Sequence, residues 1–162
     1  MKINAIILIG ILIVVAKTTY AGMNINLPNC DYQITFPGKP SINDLFISEN
    51  TAYKQAEYLK DEIVLRAECI PFKPNQEQLK KLMFKFGSSD GLNNMQLMSG
   101  FDNTGKWLKL RGYKKLGAAY ATYEIKAYYG LNSLLVIYAG TLSEKYPTDE
   151  IAQFISSGAK LK

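Results

Sequence analysis

Trp107, Lys109, Arg111 and Tyr113 alternate along one stretch of chain, and Tyr120, Thr122, Glu124, Lys126 and Tyr128 alternate along the next. Alternation places each set on one face of a strand. If the two strands pair, cations and aromatic rings interleave on one surface. Aromatic rings stack on flat or apolar groups, and Arg and Lys supply charge-assisted hydrogen bonds. The pattern therefore fits a surface that takes an anionic or sugar-like ligand, with Trp107, Lys109, Arg111, Tyr113, Tyr120, Lys126 and Tyr128 as its residues. The same types also line ordinary solvated strand faces, since Tyr and Trp favour strands and Lys and Arg favour water.

Other chemistry is narrowed by what the chain lacks. It has no histidine. That removes Ser-His-Asp and Cys-His nucleophile systems, histidine general bases and every metal site built on imidazole. Asp61-Glu62, Asp149-Glu150, Glu57, Glu68 and Glu124 are scattered, and the second pair stands at a helix start, where the dipole favours acids. No glycine-rich phosphate loop follows a strand, and no calcium loop occurs. No catalytic residue, metal ligand or cofactor is assigned. A histidine-independent hydrolase using two carboxylates on an envelope polymer is the alternative reading.

Cys30 and Cys69 are the two cysteines of the chain. An even count in an exported protein reads as a disulfide. Export follows from the N-terminus. Lys2 precedes the apolar run Ile6 to Ala16, and Lys17-Thr18-Thr19-Tyr20-Ala21 follows it, the layout of a cleaved secretory signal. The run is shorter than the ~20 residues of a membrane span. The expected division is a signal at residues 1–21 and one domain at 22–162, with a periplasmic or extracellular location. Of the net charge of +5, Lys2 and Lys17 account for two, so the exported part is only mildly basic. Sparse cations and the lack of a binding motif argue against nucleic acid and leave a protein partner, an anionic ligand or an anionic membrane surface.

The elements that must position these residues are legible from periodicity. Tyr32 to Phe36 alternates and stops at Pro37-Gly38-Lys39-Pro40. Residues 42–48, 51–58 and 62–70 read as further strands. The last has Ile63, Leu65, Ala67 and Cys69 on one face and Val64, Arg66, Glu68 and Ile70 on the other. Residues 31–70 thus read as one meander after a loose lead-in. Asn75 with Gln78 predicts a capped helix with the stripe Leu79, Leu82, Met83 and Phe86, lysines toward its end and Gly87 as its stop. Strands then recur at 94–101, 106–113, 118–129 and 133–142. A final helix opens at Pro147 and buries Ile151, Phe154 and Ile155. Short turns argue for antiparallel pairing, and strands in blocks argue for an α+β domain. The expected fold is an antiparallel sheet of about six to eight strands with two amphipathic helices packed on it, in the order strands, helix, strands, helix.

Ile34-Thr35-Phe36-Pro37-Gly38-Lys39-Pro40, the strand Ser133 to Tyr138, and Tyr146-Pro147 with its closing helix resemble small exported α+β domains of the PsbP-like and DcrB-like kind. The resemblance spans about residues 31–160. It implies an antiparallel sheet with packed helices and a binding or assembly role in the bacterial envelope, without enzyme chemistry. It carries over no functional residues.

Overall fold

The computed structural model describes residues 22–48, 51–142 and 146–161. The expected export signal at 1–21 and the expected Glu49-Asn50 turn lie outside the described residues. Five strands come first: β1 (Met23–Asn26), β2 (Tyr32–Phe36), β3 (Ser41–Ser48), β4 (Thr51–Lys60) and β5 (Ile63–Ile70). Helix α1 (Gln76–Ser89) leads to β6 (Asn93–Asp102), β7 (Gly105–Leu116), β8 (Ala119–Tyr129) and β9 (Leu134–Thr141). Helix α2 (Asp149–Ser156) and a short β10 (Ala159–Lys160) close the chain. The fold is α+β, and both of its sheets are antiparallel: a seven-stranded one in the order β3-β4-β5-β9-β8-β7-β6 and a three-stranded one in the order β1-β2-β10.

Connectivity explains the strand order. After β5 the chain leaves through α1 to the far edge of the large sheet, enters as β6, and returns by hairpins until β9 pairs with β5. The two faces of the sheet are then covered differently. One packs against β2 and α2, with Phe36, Leu65, Ala67, Tyr128, Ile137, Ile151 and Phe154 buried together. The Phe36 and Phe154 rings sit 4.7 Å apart. The other packs against α1, where Leu79 and Met83 meet Leu108, Leu110, Ile125 and Val136. The two-face reading of β5 holds: Leu65 and Cys69 join the first core and Ile70 the second.

Several boundaries differ from the sequence reading: β7 runs on to Leu116, past the expected end at 113, and the unforeseen β10 follows α2. The lead-in contains β1, which pairs with β2. β2 belongs to the small sheet, so the meander begins at β3. Pro37 and Pro40 lack amide donors and break the strand, which lets β2 stack over the large sheet instead of extending it. Helix α1 has the expected capping box between Asn75 and Gln78 but continues past Gly87 to Ser89, and its last turn carries no basic residue. Gly87 is buried as a packing residue, since a Cβ there would lie 2.5 Å from Met95 Sδ and 2.7 Å from Leu110 Cδ2. The residue with the left-handed backbone that ends the segment is Gly91, at φ +74°. On edge strand β6, Phe101 is 78% exposed despite the apolar alternation that leads to it.

The expected disulfide is present. Cys30 and Cys69 are bridged with their Cα atoms 5.7 Å apart. The bond ties the turn between β1 and β2 to the centre of the large sheet. Beside it, Asp31 Oδ2 accepts from the Ser133 amide (2.7 Å) and hydroxyl (2.8 Å), while the Asp31 amide donates back to Ser133 Oγ (2.8 Å). At the other end Ser157 Oγ donates to Thr35 O and accepts from Thr35 N, which fastens the end of α2 to β2. Covalent and polar clasps therefore hold the small sheet and α2 over the face that carries the candidate residues.

Candidate functional site

β7 and β8 pair so that Trp107 faces Tyr128, Lys109 faces Lys126, Arg111 faces Glu124, Tyr113 faces Thr122 and Lys115 faces Tyr120. The interleaved cation and aromatic surface is thus assembled on one face, as its alternation requires. Both readings of it, as a ligand surface or as a solvated face, place these residues in water. The structure corrects this for part of the set, because β2 and α2 lie over the same face.

At the inner end the residues satisfy one another. Lys126 is 7% exposed, and its Nζ lies 3.1 Å from Asp102 Oδ2. The same ammonium donates to Tyr128 Oη, which donates to Asp102 Oδ2 at 2.9 Å. It stands 4.5 Å from the Tyr128 ring centroid and 5.1 Å from that of Trp107. Trp107 lies flat over Gly100 of the edge strand, where a Cβ would come within 2.3 Å of the indole. The aromatic pair that alternation offered for stacking on a ligand holds the chain's own lysine. Burial first, then the bond to Asp102, pushes the Tyr128 hydroxyl well above its ordinary pKa. Burial raises Asp102, but hydrogen bonds from Lys126, Tyr128 and the Thr104 amide outweigh it, so the carboxyl titrates below its usual range.

The middle of the face is different. Glu124 is 4% exposed and receives Arg111 Nε at 3.1 Å and Nη2 at 2.9 Å on Oε2. Lys109 Nζ lies 3.3 Å from Oε1. Two cations therefore converge on one carboxylate. They line a cleft of about 200 Å³ whose apolar wall is Pro147 and, along α2, Ile151, Ala152 and Ile155. Burial opposes the charge on Arg111, but the bond and attraction to Glu124 prevail and raise its pKa. The guanidinium stacks 5.1 Å from the Tyr146 ring centroid. The Tyr146 hydroxyl is buried with no hydrogen bond of ordinary geometry among the described residues; burial, then the nearby Glu124 charge, raises its pKa. At the outer end Tyr113 and Tyr120 are 43% and 63% exposed.

The opposite face holds a cleft that periodicity did not single out. Arg66, Tyr123, Tyr138, Asp90 and Lys114 line about 240 Å³ beside α1. Arg66 donates to Glu57 through Nε (3.3 Å) and Nη2 (3.0 Å) and lies 5.5 Å from the Tyr138 ring centroid. Further along β5, Glu68 is buried and accepts from Gln55 Nε2 at 2.8 Å and more weakly from Tyr53 Oη. Burial raises the Glu68 pKa, and burial with the Glu68 charge pushes Tyr53 up to about 12. The signal in the sequence was the pair Arg66 and Glu68 inside an otherwise apolar strand.

Among the described residues no group of three or more His, Cys, Asp or Glu side chains is placed to hold a metal. No helix among them is long and apolar enough to cross a membrane. No protein-family model matches the chain, and no curated protein is significantly similar to it in sequence.

Proposed function

We propose that the chain is an exported, disulfide-stapled, non-enzymatic binding protein that captures a carboxylate-bearing ligand or partner segment in the cleft between β7 and α2. The observation that carries this reading is the convergence of Lys109 and Arg111 on Glu124 alone, which leaves one positive charge in excess at the cleft. Arg111 spends two of its five N–H donors on Glu124, so its fork has donors for a second acid. Ile151, Ala152 and Ile155 supply an apolar wall that strengthens such a contact by excluding water. The disulfide supports export, because such bonds persist in oxidising compartments. The resemblance of residues 34–40, 133–138 and 146–154 to PsbP-like and DcrB-like domains implies a binding or assembly role, in keeping with this reading. The hydrolase alternative needs two acids free to act on substrate. The one carboxylate of this cleft is held between two cations, which favours binding.

A backbone-amide NMR titration of residues 22–162 with a pentaglutamate peptide tests the reading. Shifts should map to Lys109, Arg111, Ile151 and Ala152, weaken with salt, and be lost in Lys109→Gln, which leaves the Arg111–Glu124 pair intact. A titration without shifts there, or an unaltered one in Lys109→Gln, refutes it.

A further inference from the structure

The β7–β8 hairpin runs past its neighbours. β6 last pairs with β7 at Asn93–Tyr113, and β9 last pairs with β8 at Thr141–Thr122. The pairs Lys114–Ala121, Lys115–Tyr120 and Leu116–Ala119 have no flanking strand among the described residues. At ~3.3 Å per residue the tip stands about 10 Å beyond the sheet. Every residue from Lys115 to Tyr120 is exposed, with Leu116 at 41% and Tyr120 at 63%. An apolar tip of Leu116, Gly117, Ala118, Ala119 and Tyr120 therefore projects into water, and no other described element folds over it. Gly117 makes the turn at φ +64°.

The charges around the tip have one sign along the hairpin. From Asn103 to Tyr123 the chain contains Lys106, Lys109, Arg111, Lys114 and Lys115 and no acid. Lys114 and Lys115 form a collar directly behind Leu116. Leu59 and Leu142, at the same end of the sheet, are also exposed. Asp61 and Glu62 of the neighbouring turn line a cleft with Leu116, and Lys60, Lys114 and Lys115 outnumber these two acids at this end of the sheet.

We infer that this tip docks the protein on an anionic phospholipid surface. Leu116 and Tyr120 enter the interfacial zone, where a tyrosine places its ring in the apolar layer and its hydroxyl in the headgroups. The lysine collar meets the lipid phosphates while the lysine stems run along the apolar boundary. Charge complementarity selects lipid as the occupant. Gly117, Ala118 and Ala119 offer a protein pocket no side chain by which to fix register, whereas a bilayer needs none. The surface is separate from the Lys109–Glu124 cleft, so the two stand or fall independently.

Sedimentation of the folded domain with phosphatidylcholine vesicles, alone or mixed with phosphatidylglycerol, tests the assignment. Binding is expected with the anionic mixture alone and should weaken with salt. Leu116→Ser with Tyr120→Ser, and Lys114→Gln with Lys115→Gln, should each lower the partition coefficient about tenfold. Leu116, Tyr120 and Lys115 are exposed, so changes there should leave the melting curve as in the parent; Lys114 is half-buried at the cleft beside α1, and Lys115→Gln alone separates a change in binding from a change in stability. Lys109→Gln should bind vesicles as the parent does. In Leu116→Trp, the added indole emission should shift to the blue on anionic vesicles and be quenched by lipids brominated near the headgroup. The absence of binding to anionic vesicles, binding that either double variant leaves unchanged, or an added indole emission in Leu116→Trp that does not respond to the vesicles overturns the assignment.

Discussion

Replacing Glu124 by Gln separates the counter-charge role of this residue from its packing. The carboxylate is almost fully enclosed, whereas the Lys109 and Arg111 side chains keep 23% and 35% of their exposure. Removing one member of a fully buried pair costs about 3–5 kcal/mol, and an exposed pair contributes about 0–1 kcal/mol. Here the stranded cations reach water in part, and Gln keeps a carbonyl for Arg111, so the loss should be about 2 kcal/mol. For a domain of this size that is a fall in Tm of about 7 °C. The same change should strengthen anion binding. Glu124 repels an incoming carboxylate; at a separation of about 5 Å in a water-like medium the repulsion is ~0.8 kcal/mol, or about fourfold in affinity.

The informative result is the opposition of the two readouts. Thermal melts should show a less stable protein, while calorimetric titration with pentaglutamate shows a tighter complex. Unchanged Tm and unchanged affinity would mean that the two cations do not depend on Glu124, and the electrostatic argument for the cleft would fail. Weaker pentaglutamate binding in Glu124→Gln would mean that Glu124 is needed to hold Lys109 and Arg111 in place for the ligand, and the repulsion argument would fail.

Three further outcomes follow from the packing. Burial lifts the folded-state pKa of Glu68 above its unfolded value, so this group stabilises the fold most at low pH and loses that contribution as pH rises through the folded value; Glu68→Gln should therefore gain stability over the parent as pH rises above about 4, the unfolded value, measured by urea titration. Cys30→Ala with Cys69→Ala opens a loop of 39 residues; in the chain-entropy model this removes about 4 kcal/mol, a fall in Tm of about 13 °C, and an unaltered melt would show that the Asp31–Ser133 clasp suffices alone. Gly100→Ala puts a methyl group against the Trp107 ring and should displace the indole from Lys126, costing about 1–3 kcal/mol and shifting the emission of the single tryptophan; a parental spectrum and stability would contradict the close stacking.

Periodicity made most of this fold legible because each strand carries its two faces in its own alternation. β5 shows how far that reaches: Leu65, Ala67 and Cys69 enter one core and Ile70 the other, as their spacing requires. The shared face of β7 and β8 also followed from local pattern, since alternation keeps Trp107, Lys109 and Arg111 on one side with Tyr128, Lys126 and Glu124, but the register did not: strands ending at 113 and resuming at 118 would set Arg111 opposite Tyr120, whereas the hairpin turns at Gly117-Ala118 and sets it opposite Glu124. What covers a face is a long-range matter. β2 has the alternation of a sheet strand, and nothing within its five residues tells whether it extends the large sheet or lies across it. That single uncertainty decided whether Lys126 and Tyr128 met water. Gly87 and Gly100 were opaque for a related reason: their value lies in what approaches them, Leu110 and Met95 in one case and Trp107 in the other, and those neighbours come from other strands.

The enclosure of Lys126 also bears on where a ligand is expected. A lysine held by Asp102, Tyr128 Oη and two aromatic faces has its charge matched and its ring partners occupied. Drawing it out toward an external anion would strand Asp102 and Tyr128 in a low-dielectric setting, at a cost that a small surface ligand does not recover. The inner third of the β7–β8 face is therefore structural, and its polar groups act to pin the edge strand β6 through Asp102 and Gly100. Binding capacity is displaced outward along the same two strands. It falls first on Lys109 and Arg111, whose combined charge exceeds that of Glu124, and then on the hairpin tip, where Tyr120 and Leu116 remain exposed. A gradient from matched charge at the core to unmatched charge and bare apolar surface at the tip is the physical content of the pattern that the alternation of Trp, Lys, Arg and Tyr first presented.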